Sequence, residues 1–263
     1  MNNTNSPSQS NTDFGSIHRL VSATFSRQLT CHMPLKNPII AIGYVGQGHA
    51  IVELEKRFPE GDIIGFDTSQ TKLNLVRKAF QNTANLKMPR LIPVSPEHIL
   101  DHVKTDTLDC AILHFPPNTA DKSDIIKKFY QTLKPGGMLS VTSHTKQNFS
   151  EIQSHTPKLV RKIFCMNKLI SSINLPINHN SYVTQLKNQG FQVIDDYQIN
   201  QKIEFRSFKD IKSWAIDSGW SEDYFQSFKT FKLASLLLVS QIIKVFRPHL
   251  FPVKLTTDIS VLL

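Results

Sequence analysis

The chain has 263 residues, 40% of them hydrophobic and 19% charged, which supplies a sizeable core and excludes wholesale disorder. Thirty basic residues against twenty-one acidic ones give a net charge of +9. No dense Lys/Arg block occurs, so the charge reads as a diffuse field rather than a basic arm, compatible with an anionic cofactor, an acidic carrier protein, anionic lipid or nucleic acid without selecting among them. Cys31, Cys110 and Cys165 form no pairwise motif, and a disulfide framework is not expected.

Residues 1–13 are rich in Asn, Ser and Thr and read as disordered, with neither the basic nor the apolar region of a secretory signal. Phe14–Gln28 places Ile17, Leu20, Val21 and Phe25 at helical spacing, and the prolines of 31–38 make a linker. Pro38-Ile-Ile-Ala-Ile-Gly43 is then a short apolar run ending in glycine, followed by Gly46, Gly48 and a helical pattern at Ile51, Val52, Leu54 and Phe58. Asp62-Ile-Ile-Gly-Phe-Asp67 is a second run and Thr71–Phe80 a second helix. Arg90–Val94 and Leu108–His114 are further strands, Asp121–Leu133 is a helix stopped by Lys134-Pro-Gly-Gly137, and Met138–Ser143 is a fifth strand. Ser181–Asn188 reads as a helix stopped by Gly190, Phe191–Tyr197 as a strand, 206–250 as mainly helical, and Asp258–Leu263 as a closing strand.

This alternation of short apolar runs with amphipathic helices predicts an α/β fold around a mostly parallel sheet. The longest apolar stretch, Leu233–Phe246, is interrupted by Ser235, Ser240, Gln241 and Lys244 and is too short to span a bilayer. The default expectation is a soluble, cytoplasmic protein.

Gly43, Gly46 and Gly48 lie between a strand and a helix, where open α/β sheets hold ligands. Glycine lets the backbone approach a ligand, and the helix start offers N–H groups to an anion. Asp67 ends the next strand, where a carboxylate suits two ribose hydroxyls, with Thr68 beside it. The bland alternative is a tight turn plus a helix-capping acid. The G-x-x-G-x-G spacing differs from the dinucleotide G-x-G-x-x-G and argues against a nicotinamide or flavin ligand.

From Ile39 to Asp67 the sequence resembles motifs I and II of class I S-adenosylmethionine-dependent methyltransferases, notably in Gly46-Gln-Gly-His-Ala-Ile-Val-Glu-Leu-Glu-Lys-Arg-Phe-Pro-Glu60 and Ile64-Gly-Phe-Asp67. Leu108–His114, Phe129–Ser140 and Tyr182–Val193 are similar to later elements of the family's small-molecule branches, so the resemblance covers about residues 36–200. It implies a Rossmann-like seven-stranded, mostly parallel sheet with helices on both faces, order 3-2-1-4-5-7-6, and an antiparallel last strand. It further implies a methyltransferase core over 36–200, a lid-like helix within 1–35, a helical substrate-side insertion over 201–252 and a closing strand over 253–263. The implied cofactor is S-adenosyl-L-methionine, held by Gly43, Tyr44, Gly46, Gly48, Asp67, Thr68, Ser95, Glu97 and His114.

Two family anchors are replaced. The acid before the first glycine falls on Ala41 or Ile42, and the acid after the third strand falls on Ser95, with Glu97 or His98 as substitutes. Methyl transfer from a sulfonium is mainly a matter of orientation, with a base needed only where the nucleophile starts protonated. His114 is the candidate catalytic group, because the segment after the fourth strand should face the methyl group. Phe115-Pro-Pro-Asn118 inverts the Asn-Pro-Pro-aromatic motif of amino-group methyltransferases, which disfavours a nucleic-acid or protein substrate. His98 and His102 lack a third ligand nearby, so no metal is expected. The expected activity is O- or C-methylation of a small apolar or acidic molecule. The alternatives are a non-catalytic member of the fold that binds a cofactor or partner, and a nucleic-acid or protein methyltransferase.

Overall fold

The computed structural model describes residues 32, 36–83, 85–117, 120–147, 178–205 and 253–263. The expected helix at 14–28, residue Asn118 and the 206–252 stretch lie outside them.

The strands are β1 (Ile39–Gly43), β2 (Asp62–Phe66), β3 (Arg90–Ile92), β4 (Leu108–His114), β5 (Leu133–His144), β6 (Asp196–Phe205) and β7 (Val253–Leu262). The helices are α1 (His49–Arg57), α2 (Gln70–Gln81), α3 (Lys122–Thr132) and α4 (His179–Asn188), with a 3-10 helix at Pro96–Asp101. Strands β1 to β5 pair in parallel, as the strand–helix alternation requires. The sheet runs β3-β2-β1-β4-β5-β7-β6, with β7 antiparallel to both neighbours.

Helices α2, α3 and α4 start where a polar side chain satisfies open N–H groups, whereas α1 starts at Gly48 without one. The Ser69 hydroxyl accepts from the Lys72 N–H, the Asp121 carboxylate from the Asp124 N–H, and Asn178 and Ser181 form a reciprocal capping box. On α2, Leu73, Val76 and Phe80 form the buried stripe, and on α3 Ile125, Ile126 and Phe129 do so. Alternation along the strands splits the core in two. Ala41, Ile64, Phe66, Ala111, Leu113, Leu139 and Val141 face α3 and α4. Ile40, Ile42, Ile63, Cys110 and Ile112 face α1 and α2. Strands buried on both faces read as unbroken apolar runs, which is why their sequence signal is strong.

The sixth strand is displaced from its expected position at 191–197. The N–H groups of Ile194 and Asp195 bond the Leu263 carbonyl, and the antiparallel ladder with β7 runs from Asp196 to Phe205. An edge strand with polar Gln198 and Asn200 shows no apolar run, so its sequence carries no local mark of where it begins and ends. Residues 201–205 therefore belong to the sheet and not to an insertion, and β7 runs from Val253, within the closing strand expected over 253–263 and ahead of the apolar run at 258. The preceding helix does end at Thr132, before Lys134-Pro-Gly-Gly137, but strand β5 starts at Leu133 rather than Met138 and carries Pro135, Gly136 and Gly137 past a register shift against β4. Among the described residues, no helix is long and apolar enough to cross a membrane.

Candidate functional site

Register fixes the site. Gly43 pairs with Phe66 of β2 and with Leu113 of β4, and Phe66 pairs with Ile92 of β3. Tyr44, Asp67 and His114 each stand one residue beyond that row, on the carboxyl edge of three adjacent parallel strands. Four segments distant in sequence meet there, because parallel strands joined by right-handed crossovers end on the same edge.

The glycine turn is tightly held. The Tyr44 and Val45 N–H groups donate to the Phe66 carbonyl at 2.8 and 3.3 Å, and Gly48 N–H donates to Val45 O at 3.0 Å. Gly46 and Gly48 have φ of +56° and +85°, the left-handed region that favours glycine. They serve different ends. A Cβ on Gly48 would stand 3.0 Å from Val76 Cγ2, so this glycine lets α1 pack against α2, whereas a Cβ on Gly46 would meet nothing within 4 Å. Gly46 thus borders open space, the cradle a ligand would need. Gly48 is the N-cap of α1, whose first turn carries no acidic residue.

Asp67 is only 1% exposed, and its Oδ1 accepts the Ser69 N–H at 2.8 Å. Thr68 beside it is exposed. Asp67 thus holds the chain entering α2 and stands on the carboxyl edge of the sheet. Tyr44 reaches across to the third-strand loop, its hydroxyl 3.4 Å from Ser95 Oγ. Ser95 also caps the 3-10 helix by accepting the Glu97 N–H, and the Glu97 carbonyl is held by Lys128 Nζ at 2.8 Å. Ala41 and Ile42 are buried apolar side chains on opposite faces of β1, so neither offers a polar substitute for the missing acid. His98 and His102 do not share a regular helix: His98 Nδ1 lies 3.5 Å from Asp101, and His102 is the C-cap of the 3-10 helix, its ring tilted against that of Phe66 with centroids 6.1 Å apart.

His114 is 8% exposed, and burial pushes its imidazole down to about 3, so it is neutral at ordinary pH. The next residue, Phe115, has φ of +45° and packs its ring against His144 at 4.9 Å. His144 is pushed down to about 4 by burial and then by the charge of Lys122, itself a buried side chain at the start of α3. Reading from motifs misses a further set. On β5 the register places Ser140 beside Ile112 and Thr142 beside His114, so Ser140, Thr142 and His144 line the face of the sheet that carries His114. The missed signal is polar alternation within Met138–Ser143, on a face where a parallel strand is normally apolar.

The nine residues named for a cofactor thus fall around one edge. Gly43, Tyr44, Gly46, Gly48, Asp67, Thr68 and Ser95 line its β1–β3 side, Glu97 follows Ser95, and His114 stands on β4. Such an arrangement can hold a ribose-bearing ligand with a carboxylate end on the glycine turn and Asp67, its reactive end toward His114.

No protein-family model matches the chain. Over 156 residues it is 24% identical to the ubiquinone/menaquinone biosynthesis C-methyltransferase UbiE of Haemophilus ducreyi, covering 54% of this chain and 60% of that protein. Over 150 residues it is 25% identical to the trans-aconitate 2-methyltransferase of Methylobacterium radiotolerans, covering 57% of this chain and 53% of that protein. The chain thus spans little more than half the length of these curated relatives, both of them methyltransferases. Its fold is similar to that of geranyl diphosphate methyltransferase solved with S-adenosylmethionine, with a TM-score of 0.51 and 12% identity over 98% of this chain and 92% of that one.

Proposed function

We propose that the chain is an S-adenosylmethionine-dependent methyltransferase acting on a small molecule. The observation that carries this reading is the shared register row, which sets the buried Asp67 carboxylate, the glycine cradle and His114 on one sheet edge in that order. These residues fit the cofactor: open space beside Gly46, an acid-free helix start at Gly48 and a carboxylate at the ribose position. When bound, the cofactor supplies an electrophilic methyl group on a sulfonium.

The chain's own groups orient and exclude. Gly46 lets the backbone approach the amino-acid end, Gly48 sets the helix start beside it, Asp67 fixes the ribose, and Ser95 with Tyr44 borders the adenine. His114 is held neutral by burial, and a neighbouring sulfonium charge would hold its protonation down further. Its role is therefore to accept a hydrogen bond from the acceptor and orient it, more than to store a proton. O- and C-methylation both remain within this geometry. The net charge of +9 suits an acidic acceptor or acidic carrier. The segment between β6 and β7 is the candidate substrate-side insertion, its boundaries 206–252.

The apolar Ala41 and Ile42 and the serine at 95 favour one second reading, a cofactor-binding protein without turnover. Each lost hydrogen bond to a charged group would cost roughly 1.5–3 kcal/mol. Calorimetric titration of S-adenosylhomocysteine into the protein, with Asp67→Ala as control, tests the first requirement. Micromolar binding lost in the variant supports the cofactor site, and no binding at millimolar ligand overturns it. Methyl transfer from labelled cofactor to any acceptor then separates enzyme from binder.

A further inference from the structure

The segment that carries Ser95 has weak regular structure of its own. Strand β3 is three residues long at the edge of the sheet, and the 3-10 helix Pro96–Asp101 is kinked at His98. The N–H groups of Val94, His98, His102 and Val103 bond carbonyls within residues 92–103. The segment is placed from outside, by α3. Pro96 and Phe129 meet under the glycine turn, where a Cβ on Gly43 would stand 3.1 Å from each. Beside that apolar contact is a polar one: Lys128 Nζ donates to the Glu97 carbonyl at 2.8 Å and to Asp124 at 2.7 Å. On its other side the Glu97 N–H donates to Ser95 Oγ at 3.5 Å. An Asp–Lys pair four residues apart on a helix surface contributes little alone. Here Asp124 fixes the direction of the ammonium, and the charge-assisted bond then falls on a backbone carbonyl two residues from Ser95. The hydrogen bond from Asp124, then the charges of Asp124, Glu97 and Asp101, raise the Lys128 pKa against partial desolvation, so the ammonium stays charged.

We propose that Lys128 is a positioning residue for cofactor binding, which grips Glu97 from α3 and so sets the Ser95 hydroxyl at the adenine side of the site. The inference rests on the methyltransferase reading and deepens it, because it assigns part of the affinity to a side chain on a helix that only supports the site. Lys128 acts through Ser95: without the grip, the Ser95–Glu97 turn samples other positions, and binding must first order it. The Phe129–Pro96 contact remains in that case, so the segment loosens without leaving the sheet.

The probe is S-adenosylhomocysteine, titrated by calorimetry into the parent, Lys128→Met, Lys128→Arg, Ser95→Ala and the double variant Ser95→Ala/Lys128→Met. Lys128→Met should weaken binding about threefold to tenfold, the worth of one partly exposed charge-assisted bond, with a melting temperature close to the parent's. Lys128→Arg keeps a donor on a long cationic stem and should recover most of the loss. The double variant carries the decisive readout. If Lys128 acts by placing Ser95, then Lys128→Met costs nothing further once Ser95 is alanine; a side chain that merely supports the fold gives losses that multiply. The proposal is overturned by unchanged affinity in Lys128→Met, by multiplying losses in the double variant, or by a loss that Lys128→Arg does not recover. Failure of the cofactor reading looks different: the parent itself does not bind S-adenosylhomocysteine, and this inference then falls with it.

Discussion

The Tyr44 hydroxyl lies 3.4 Å from the Ser95 hydroxyl, which ties the glycine turn after β1 to the loop after β3. The tie joins the two loops at the carboxyl edge of the sheet, and Tyr44 holds it from a left-handed backbone with φ of +60°. A cofactor that uses Ser95 must first take that hydroxyl from Tyr44. Tyr44→Phe keeps the ring and releases Ser95. It should tighten S-adenosylhomocysteine binding by about threefold to tenfold, the worth of one modest hydrogen bond. Calorimetry on the parent and variant checks this; weaker binding in the variant would mean that the phenol contacts the cofactor itself.

The two left-handed glycines of the turn should respond differently to alanine. Both substitutions put a side chain at positive φ, which costs about 1–3 kcal/mol. At Gly48 the new methyl also meets Val76 at 3.0 Å, so Gly48→Ala should lower the melting temperature further by pushing α1 from α2. At Gly46 the space is open, so Gly46→Ala should melt only slightly below the parent and yet lose ligand affinity, because the methyl fills the cradle. Melting curves with and without S-adenosylhomocysteine separate the two effects.

Stability should fall on mild acidification because of the buried histidines. His114 sits near 3 when folded, below the ordinary value of 6.5. A depressed folded value means that the unfolded chain binds the extra proton first, so stability is full above 6.5 and is lost as pH falls toward 3. The slope from such a group approaches about 1.4 kcal/mol per pH unit inside that window. His144, near 4, acts in the same direction over a narrower window. His114→Gln should flatten the curve of unfolding free energy between pH 6 and pH 4; an unchanged slope would place the loss in other groups.

How much of this was legible in the sequence depends on what each residue had to announce. The parallel strands β1, β2 and β4 are buried on both faces, so each reads as an apolar run in the sequence. The glycine turn and Asp67 were legible because their chemistry demands particular residue types at one place. Ser140 and Thr142 were not, since a small hydroxyl residue in a strand is common and only register against β4 reveals that Thr142 stands beside His114. The edge strand β6 was misplaced for the opposite reason. Its position comes from pairing with β7, whose residues are distant in sequence, and pairing leaves no local pattern.

One ion pair at the opposite edge of the sheet bears on stability without touching the site. Asp109 of β4 accepts the Ile39 N–H at 2.8 Å through one oxygen and Lys134 Nζ at 2.7 Å through the other. It therefore stitches the first residue of β1 to the start of β5 across β4. Asp109→Ala strands a strand-end N–H and unpairs Lys134, which is partly solvated and keeps most of its hydration. The loss should thus be dominated by the backbone bond, about 1.5–3 kcal/mol. Asp109→Asn, which still accepts the Ile39 N–H, should recover most of it. Because the residue sits at the amino edge, S-adenosylhomocysteine affinity measured well below the melting temperature should match the parent in both variants, and chemical denaturation gives the stability difference directly.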